Sequence, residues 1–224
     1  HGMTLGELAL YFKRLFFAET SLQVEVSTAE NWWRELQFDA CALPWAPPSP
    51  NIPTPETALM YIGTCLFEGL NMNEGWGTKT PFLVCGAPWL NPVKVLKQVS
   101  EEARAGIVLK PVIYIPKSIP GKASNPDYRD SLCQGITFNI TDARLARPFT
   151  TAVALICAIH QCHPELKWDP VFDILAGGLW LREQIQAGRD AKDIIEHIQG
   201  DLAAFDAQRP RLYASLEERA RTQG

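Results

Sequence analysis

The chain has 224 residues, enough for one large domain or one and a half. Apolar residues make up 46% and charged residues 21%, the ordinary balance of a globular protein that buries its own core. A net charge of −4 with no basic stripe interleaved with aromatics argues against a nucleic-acid partner, and no apolar run reaches the ~18 residues needed to span a bilayer.

In chain order, residues 1–19 read as a helix. Thr4 and Glu7 form a capping box, and Leu5, Leu8, Ala9, Phe12, Leu15 and Phe16 make an apolar stripe expected to face a core. Residues 22–26 alternate like a short strand. Residues 43–55 hold six prolines in thirteen positions, which forbids a helix or a central strand. This stiff segment is either a linker or a cleft wall presenting Trp45, Ser49 and Asn51. Residues 55–63 form a short helix with proline in its first turn. Residues 64–71 read as a strand leading into a glycine-rich loop, and residues 80–88 as another.

Asn91 and Pro92 open a helix expected to run to Gly106. Residues 107–118 are strand-like, 118–131 a polar loop expected to be mobile, and 132–142 a strand with Gly135 as a bulge. Beyond Arg147 strand signals vanish. Helices follow over 148–165, over 169–188 with an interruption at Gly177-Gly178, and over 190–215. The fold class is α+β, a mixed β-sheet with flanking helices and an all-helical C-terminal segment. It reads as a single domain, mixed over 1–142 and helical over 143–216, with a tail at 217–224.

The six cysteines form no CxxC, and the spacing of Cys157, His160, Cys162 and His163 does not fit a zinc site. No metal or cofactor is expected. Nucleophile elbows, HExxH, P-loops and dinucleotide fingerprints are missing from the sequence. What stands out is FEGLNMNEGWGTKTPFLVCGAPW, residues 67–89. Glu68 and Glu74 lie six positions apart among glycines, with Asn71 and Thr78 as neutral hydrogen-bonding groups and Trp76 as a flat apolar face. Such a kit suits a polyhydroxylated ligand, the indole stacking on a sugar ring. Glutamate–glycine turns and buried tryptophans supply a purely structural alternative. If the turn brings Glu68 and Glu74 to one cleft, they meet the two-carboxylate requirement of glycoside hydrolysis.

HGMTLGELA at 1–9, PSPNIPT at 48–54, the stretch 61–89, CQG at 133–135 and FDILAGGLWLREQIQAG at 172–188 together resemble the C-terminal half of the NamZ-type exo-β-N-acetylmuramidases, formerly DUF1343. That resemblance implies a bacterial, extracytoplasmic glycoside hydrolase that removes N-acetylmuramic acid from peptidoglycan fragments, although no signal peptide is read at the start of this chain. It implies a cleft between two halves, with the family's presumed catalytic glutamate in an N-terminal Rossmann-like half. This chain would then contribute Glu74 and Glu68, with Asn71, Trp76, Thr78, Asn51, Ser49 and Trp45 as sugar contacts, and would be inactive alone. One departure matters: Trp76 stands where the family pattern carries arginine, exchanging a carboxylate fork for a stacking face. Two other readings stay open. One is a non-catalytic carbohydrate-binding module using Trp45, Trp76 and Trp89. The other is a domain that only stabilises a partner half.

Overall fold

Thr4 accepts the Glu7 backbone N–H, and the Glu7 carboxylate accepts the Thr4 N–H at 2.7 Å, so the capping box is formed. It opens α1, Leu5–Phe16. The computed structural model describes residues 2–211. Its further elements are α2 (Pro55–Thr64), β1 (Val84–Ala87), α3 (Pro92–Leu96), β2 (Ile107–Tyr114), β3 (Cys133–Ile140), α4 (Pro148–Cys162), α5 (Val171–Leu175), α6 (Trp180–Gln186), α7 (Ala191–His197) and α8 (Gln199–Gln208). Short 3-10 turns lie at Phe38–Cys41, Cys65–Gly69 and Glu102–Arg104. The expected tail at 217–224 lies outside the described residues.

Two units emerge. The first joins residues 1–44 with the chain from Ile198 onward, and the second is Trp45–His197. The composition shift expected near residue 142 falls inside the second.

In the first unit, α1 and α8 meet through Tyr11 and Phe205, edge to face at 5.7 Å. Most of the stripe expected to be core is exposed instead: Leu5 is 84% accessible and Phe16 69%, and only Leu8 is half-buried. Glu7 is the buried residue, and Arg34 salt-bridges it at 2.5 Å. Residues 22–26 form no strand, because no neighbouring strand is there to take their backbone hydrogen bonds among the described residues.

The second unit is the α+β body. Its sheet runs β1-β3-β2 and is antiparallel at both pairings, narrower than the mixed sheet expected. The register is continuous through Gly135, which faces Gly86 on one side and Val112 on the other, so there is no bulge. Glycine is needed for another reason. A Cβ at Gly135 would lie 2.5 Å from the Cys85 carbonyl oxygen, and one at Gly86 would lie 2.5 Å from that of Gln134.

Helix α4 is apolar on nearly every side, as a central helix must be, with Thr151 through Ile159 all buried. Helices α2, α3, α6 and α7 pack around it, α5 packs on the 65–69 turn and on α6, and Met60, Leu66, Phe67, Met72, Ile136 and Phe172 fill the core. α3 ends at Leu96, not at Gly106. Ser100 accepts the Ala103 N–H and starts a separate 3-10 turn, as serine does when its hydroxyl competes with the helix. Residues 65–69 coil as a 3-10 turn in place of the expected strand, continuing α2. The break at Gly177-Gly178 separates α5 from α6, and the third helical run divides at Ile198 into α7 and α8.

Candidate functional site

The glycine-rich stretch is fixed by pairing with β1. Asn73 and Gly86 exchange both backbone hydrogen bonds, at 2.8 and 2.9 Å. From there the chain turns through Gly75 (φ 93°) and Gly77 (φ 77°), a backbone closed to other residues at low cost. Thr78 locks the turn by donating its hydroxyl to the Gly75 carbonyl at 2.6 Å. Phe82 holds a positive φ of 61°, rare for an aromatic residue. Its N–H donates to the Glu74 carbonyl at 2.7 Å, and the Thr64 hydroxyl lies 3.0 Å from its carbonyl. The Phe82 ring is thereby held edge-on to Tyr61, with centroids 4.7 Å apart.

Around this turn lies a hollow of about 360 Å³, lined by Pro48, Ser49, Asn51, Ile52, Ala58, Tyr61, Glu68, Trp76 and Phe82. The proline-rich segment is one of its walls. Trp45 stiffens that wall from behind, its indole N–H donating to the Ile52 carbonyl at 3.2 Å. Asn51 lines the hollow and donates to the Lys122 carbonyl at 3.0 Å. Glu68 and Trp76 also line it, and each keeps one buried polar atom, Oε1 and Nε1, without a hydrogen-bond partner. Burial raises the Glu68 carboxyl above its ordinary range.

The remaining expected contacts sit elsewhere. Glu74 is 6% accessible and does not line the hollow. Burial, with smaller effects from Glu68 and Asp127, pushes its carboxyl up to about 8 against the partial opposition of a backbone hydrogen bond. Asn71 braces a different segment. It donates to the Glu165 carbonyl and accepts the Lys167 N–H at 2.6 Å, which engages both ends of its amide. Thr78 is spent on the turn. Trp89 donates to Tyr128 at 3.2 Å, away from the hollow.

Loop 118–131 is pinned rather than loose. The Asn73 amide donates to the Asp127 carbonyl at 3.2 Å, and the Tyr128 hydroxyl donates to that of Asn71 at 2.8 Å. Tyr61 is the polar lining residue that the sequence does not single out, and the apolar Pro48, Ile52, Ala58 and Phe82 complete the lining. The ring partner of Tyr61, Phe82, is 21 residues away, so no local pattern marks it. Among the described residues no group of three or more His, Cys, Asp or Glu is placed to hold a metal ion. His163 accepts the Asn91 N–H at 3.1 Å and lies beside Trp89. No described helix is long and apolar enough to cross a membrane.

Residues 59–214 match the family model for exo-β-N-acetylmuramidase NamZ, C-terminal, and residues 1–56 match that for exo-β-N-acetylmuramidase NamZ, N-terminal. The motifs at 1–9 and 48–54, expected to belong to the C-terminal half, therefore fall within the N-terminal match. A curated relative, peptidoglycan β-N-acetylmuramidase NamZ of Bacillus subtilis (strain 168), is 31% identical over 214 residues, which is 94% of this chain and 50% of the relative. Two solved DUF1343-family proteins from Bacteroides fragilis NCTC 9343 superpose with TM-scores of 0.75 and 0.76, at 31% and 21% identity. They cover 96% and 93% of this chain, and the chain covers 56% of each. The second speaks to the fold alone. The chain thus spans about half the length of the curated relative it matches.

Proposed function

Because this chain belongs to the exo-β-N-acetylmuramidase NamZ family, we propose that it builds one wall of the sugar cleft in a glycoside hydrolase that acts on peptidoglycan fragments. One observation carries the reading: Glu68 and Trp76 share a hollow of sugar-like size, beside the neutral polar groups of Ser49, Asn51 and Tyr61. An aromatic face with neutral hydrogen-bonding groups suits a pyranose ring. By the same reading the protein works outside the cytoplasmic membrane, where its polymer lies.

Hydrolysis of a glycosidic bond takes two carboxyl groups across the scissile bond. The hollow offers one, Glu68, since Glu74 is sealed. The second group then comes from an N-terminal Rossmann-like half. Three features support such a partner: the match of residues 1–56 to the N-terminal model, the half-length coverage of the relative, and the exposed Leu5, Phe12 and Phe16 of α1.

The test measures chromophore release from a β-N-acetylmuramide, by this chain alone and by this chain extended with the N-terminal residues of its B. subtilis relative. The expected result is turnover in the extended protein only, reduced at least a hundredfold by Glu68→Gln. Full turnover in the extended Glu68→Gln variant sinks the assigned role. The lone accessible carboxylate also favours a second reading, a non-catalytic carbohydrate-binding module. Sugar binding without turnover in either form supports that one.

A further inference from the structure

One side of the hollow is tied to a tight turn. Ile119 and Ala123 exchange both backbone hydrogen bonds at 2.9 Å, and the Lys122 N–H donates back to the Ile119 carbonyl at 3.1 Å. The Ser118 hydroxyl closes the base of the turn on the Ser124 carbonyl at 2.8 Å. The Lys122 carbonyl accepts the side-chain amide of Asn51, a lining residue, at 3.0 Å. The backbone of Lys122 is thus fixed beside the wall of the hollow while its side chain is exposed. Two other cations of this region are spent, since Lys117 and Arg129 both pair with Asp130, at 2.8 and 3.7 Å. Lys122 takes part in none of the described ion pairs.

The lining itself carries one carboxyl, Glu68, and no lysine, arginine or histidine. A ligand carboxylate placed deep among these groups meets no countercharge and gives up its water. Resting on the reading that the hollow takes a peptidoglycan sugar, we propose that Lys122 is a specificity-determining residue for a sugar acid: its ammonium receives, at the Asn51 rim, the carboxylate on the lactyl arm of N-acetylmuramic acid. The ring lies in the hollow against Trp76, and the arm leaves it on the Asn51 side. The Asn51 amide has two N–H donors; one is spent on the Lys122 carbonyl and the second reaches the same carboxylate. Lysine suits such a rim, being a compact charge with three donors on a flexible stem. There the carboxylate keeps part of its water and stands apart from Glu68.

The experiment is an NMR titration of this chain with N-acetylmuramic acid, its lactyl methylamide, which keeps the size and removes the charge, and N-acetylglucosamine. At pH 7.5 and low salt the acid is expected to bind about fivefold more tightly than the methylamide, the size a partly exposed ion pair supports. Raising the salt should narrow that gap by screening. Lys122→Met should cut the preference to twofold or less while leaving the two neutral sugars within twofold of the wild type, and Lys122→Arg should restore it. Melting temperature checks folding. No preference for the acid in the wild type, or a preference that survives in Lys122→Met, overturns the proposal and leaves the sugar-cleft reading standing. Equal weakening of all three sugars in Lys122→Met also overturns it, since the turn would then only support the wall. Failure of every sugar to bind removes both. The wild-type comparison of acid with methylamide decides the matter even where a variant does not fold.

Discussion

The indole of Trp76 and the carboxyl of Glu68 line one hollow, and neither buried polar atom, Nε1 nor Oε1, has a hydrogen-bond partner. Each such omission costs about 1–3 kcal/mol in a folded protein. Two in one place, next to a phenylalanine held at positive φ, mark a spot that the rest of the unit holds against its local preference.

A variant pair separates the two parts of Trp76. Trp76→Ala removes the face and should weaken sugar binding about tenfold, roughly 1.4 kcal/mol. Trp76→Phe keeps a face and deletes the orphaned N–H. It should bind within threefold of the wild type and unfold at the same or slightly higher urea concentration. If Phe proves as damaging to binding as Ala, the N–H and not the ring face is the recognition element.

Much of this arrangement was legible in local sequence, and the misses share a physical cause. The Thr4–Glu7 capping box, the proline at the start of α2 and the strand character of β2 and β3 are encoded within a few residues, and all three formed. The burial of Glu74 is invisible locally because it is set from far along the chain, where Asp127 and its loop come to lie near it. Loop 118–131 has the composition of a mobile segment, yet Tyr128 and Asp127 are anchored to residues more than fifty positions away. The stripe on α1 is apolar as its spacing predicts, but the first unit leaves Leu5, Phe12, Leu15 and Phe16 exposed. Periodicity tells which face is greasy. It does not tell what covers that face.

Glu74 should make stability depend on pH. Its carboxyl titrates at about 8 when folded, against an ordinary value of 4.5, so folding favours the protonated form. The stability it contributes is fully present below about pH 4.5 and is lost as pH rises towards 8. Glu74→Gln removes the titration. Urea unfolding at pH 5, 7 and 9 should show the variant gaining on the wild type with rising pH, by on the order of 3–5 kcal/mol across the range. A difference that stays flat with pH would mean the carboxyl is not buried in this way.

Tyr128 should act as the clasp of its loop. Its hydroxyl accepts from the Trp89 indole and donates to the Asn71 carbonyl. Tyr128→Phe strands the Trp89 N–H and frees that carbonyl, at a cost of about 1–3 kcal/mol. Hydrogen exchange should quicken across 118–131 while β3 keeps its protection. Uniform loss of protection throughout the second unit would instead make Tyr128 an ordinary core residue.

Gly135 offers the sharpest test of the sheet register. It sits on the central strand, between Gly86 and Val112. A methyl group at this position meets the Cys85 carbonyl oxygen at 2.5 Å and the Tyr114 ring at 2.8 Å. The ring edge can tilt, but the carbonyl belongs to β1 and cannot move without breaking the pairing. Gly135→Ala should therefore cost about 3 kcal/mol or more, read as a fall in thermal midpoint. The same change at Gly121 is a control for loss of left-handed backbone without a clash, because nothing lies within 4 Å of a Cβ there. Its cost should stay near 1 kcal/mol, the strain of a positive φ alone. Should the two variants melt together, the close approach of β1 and β3 at this glycine is not what the protein adopts in solution.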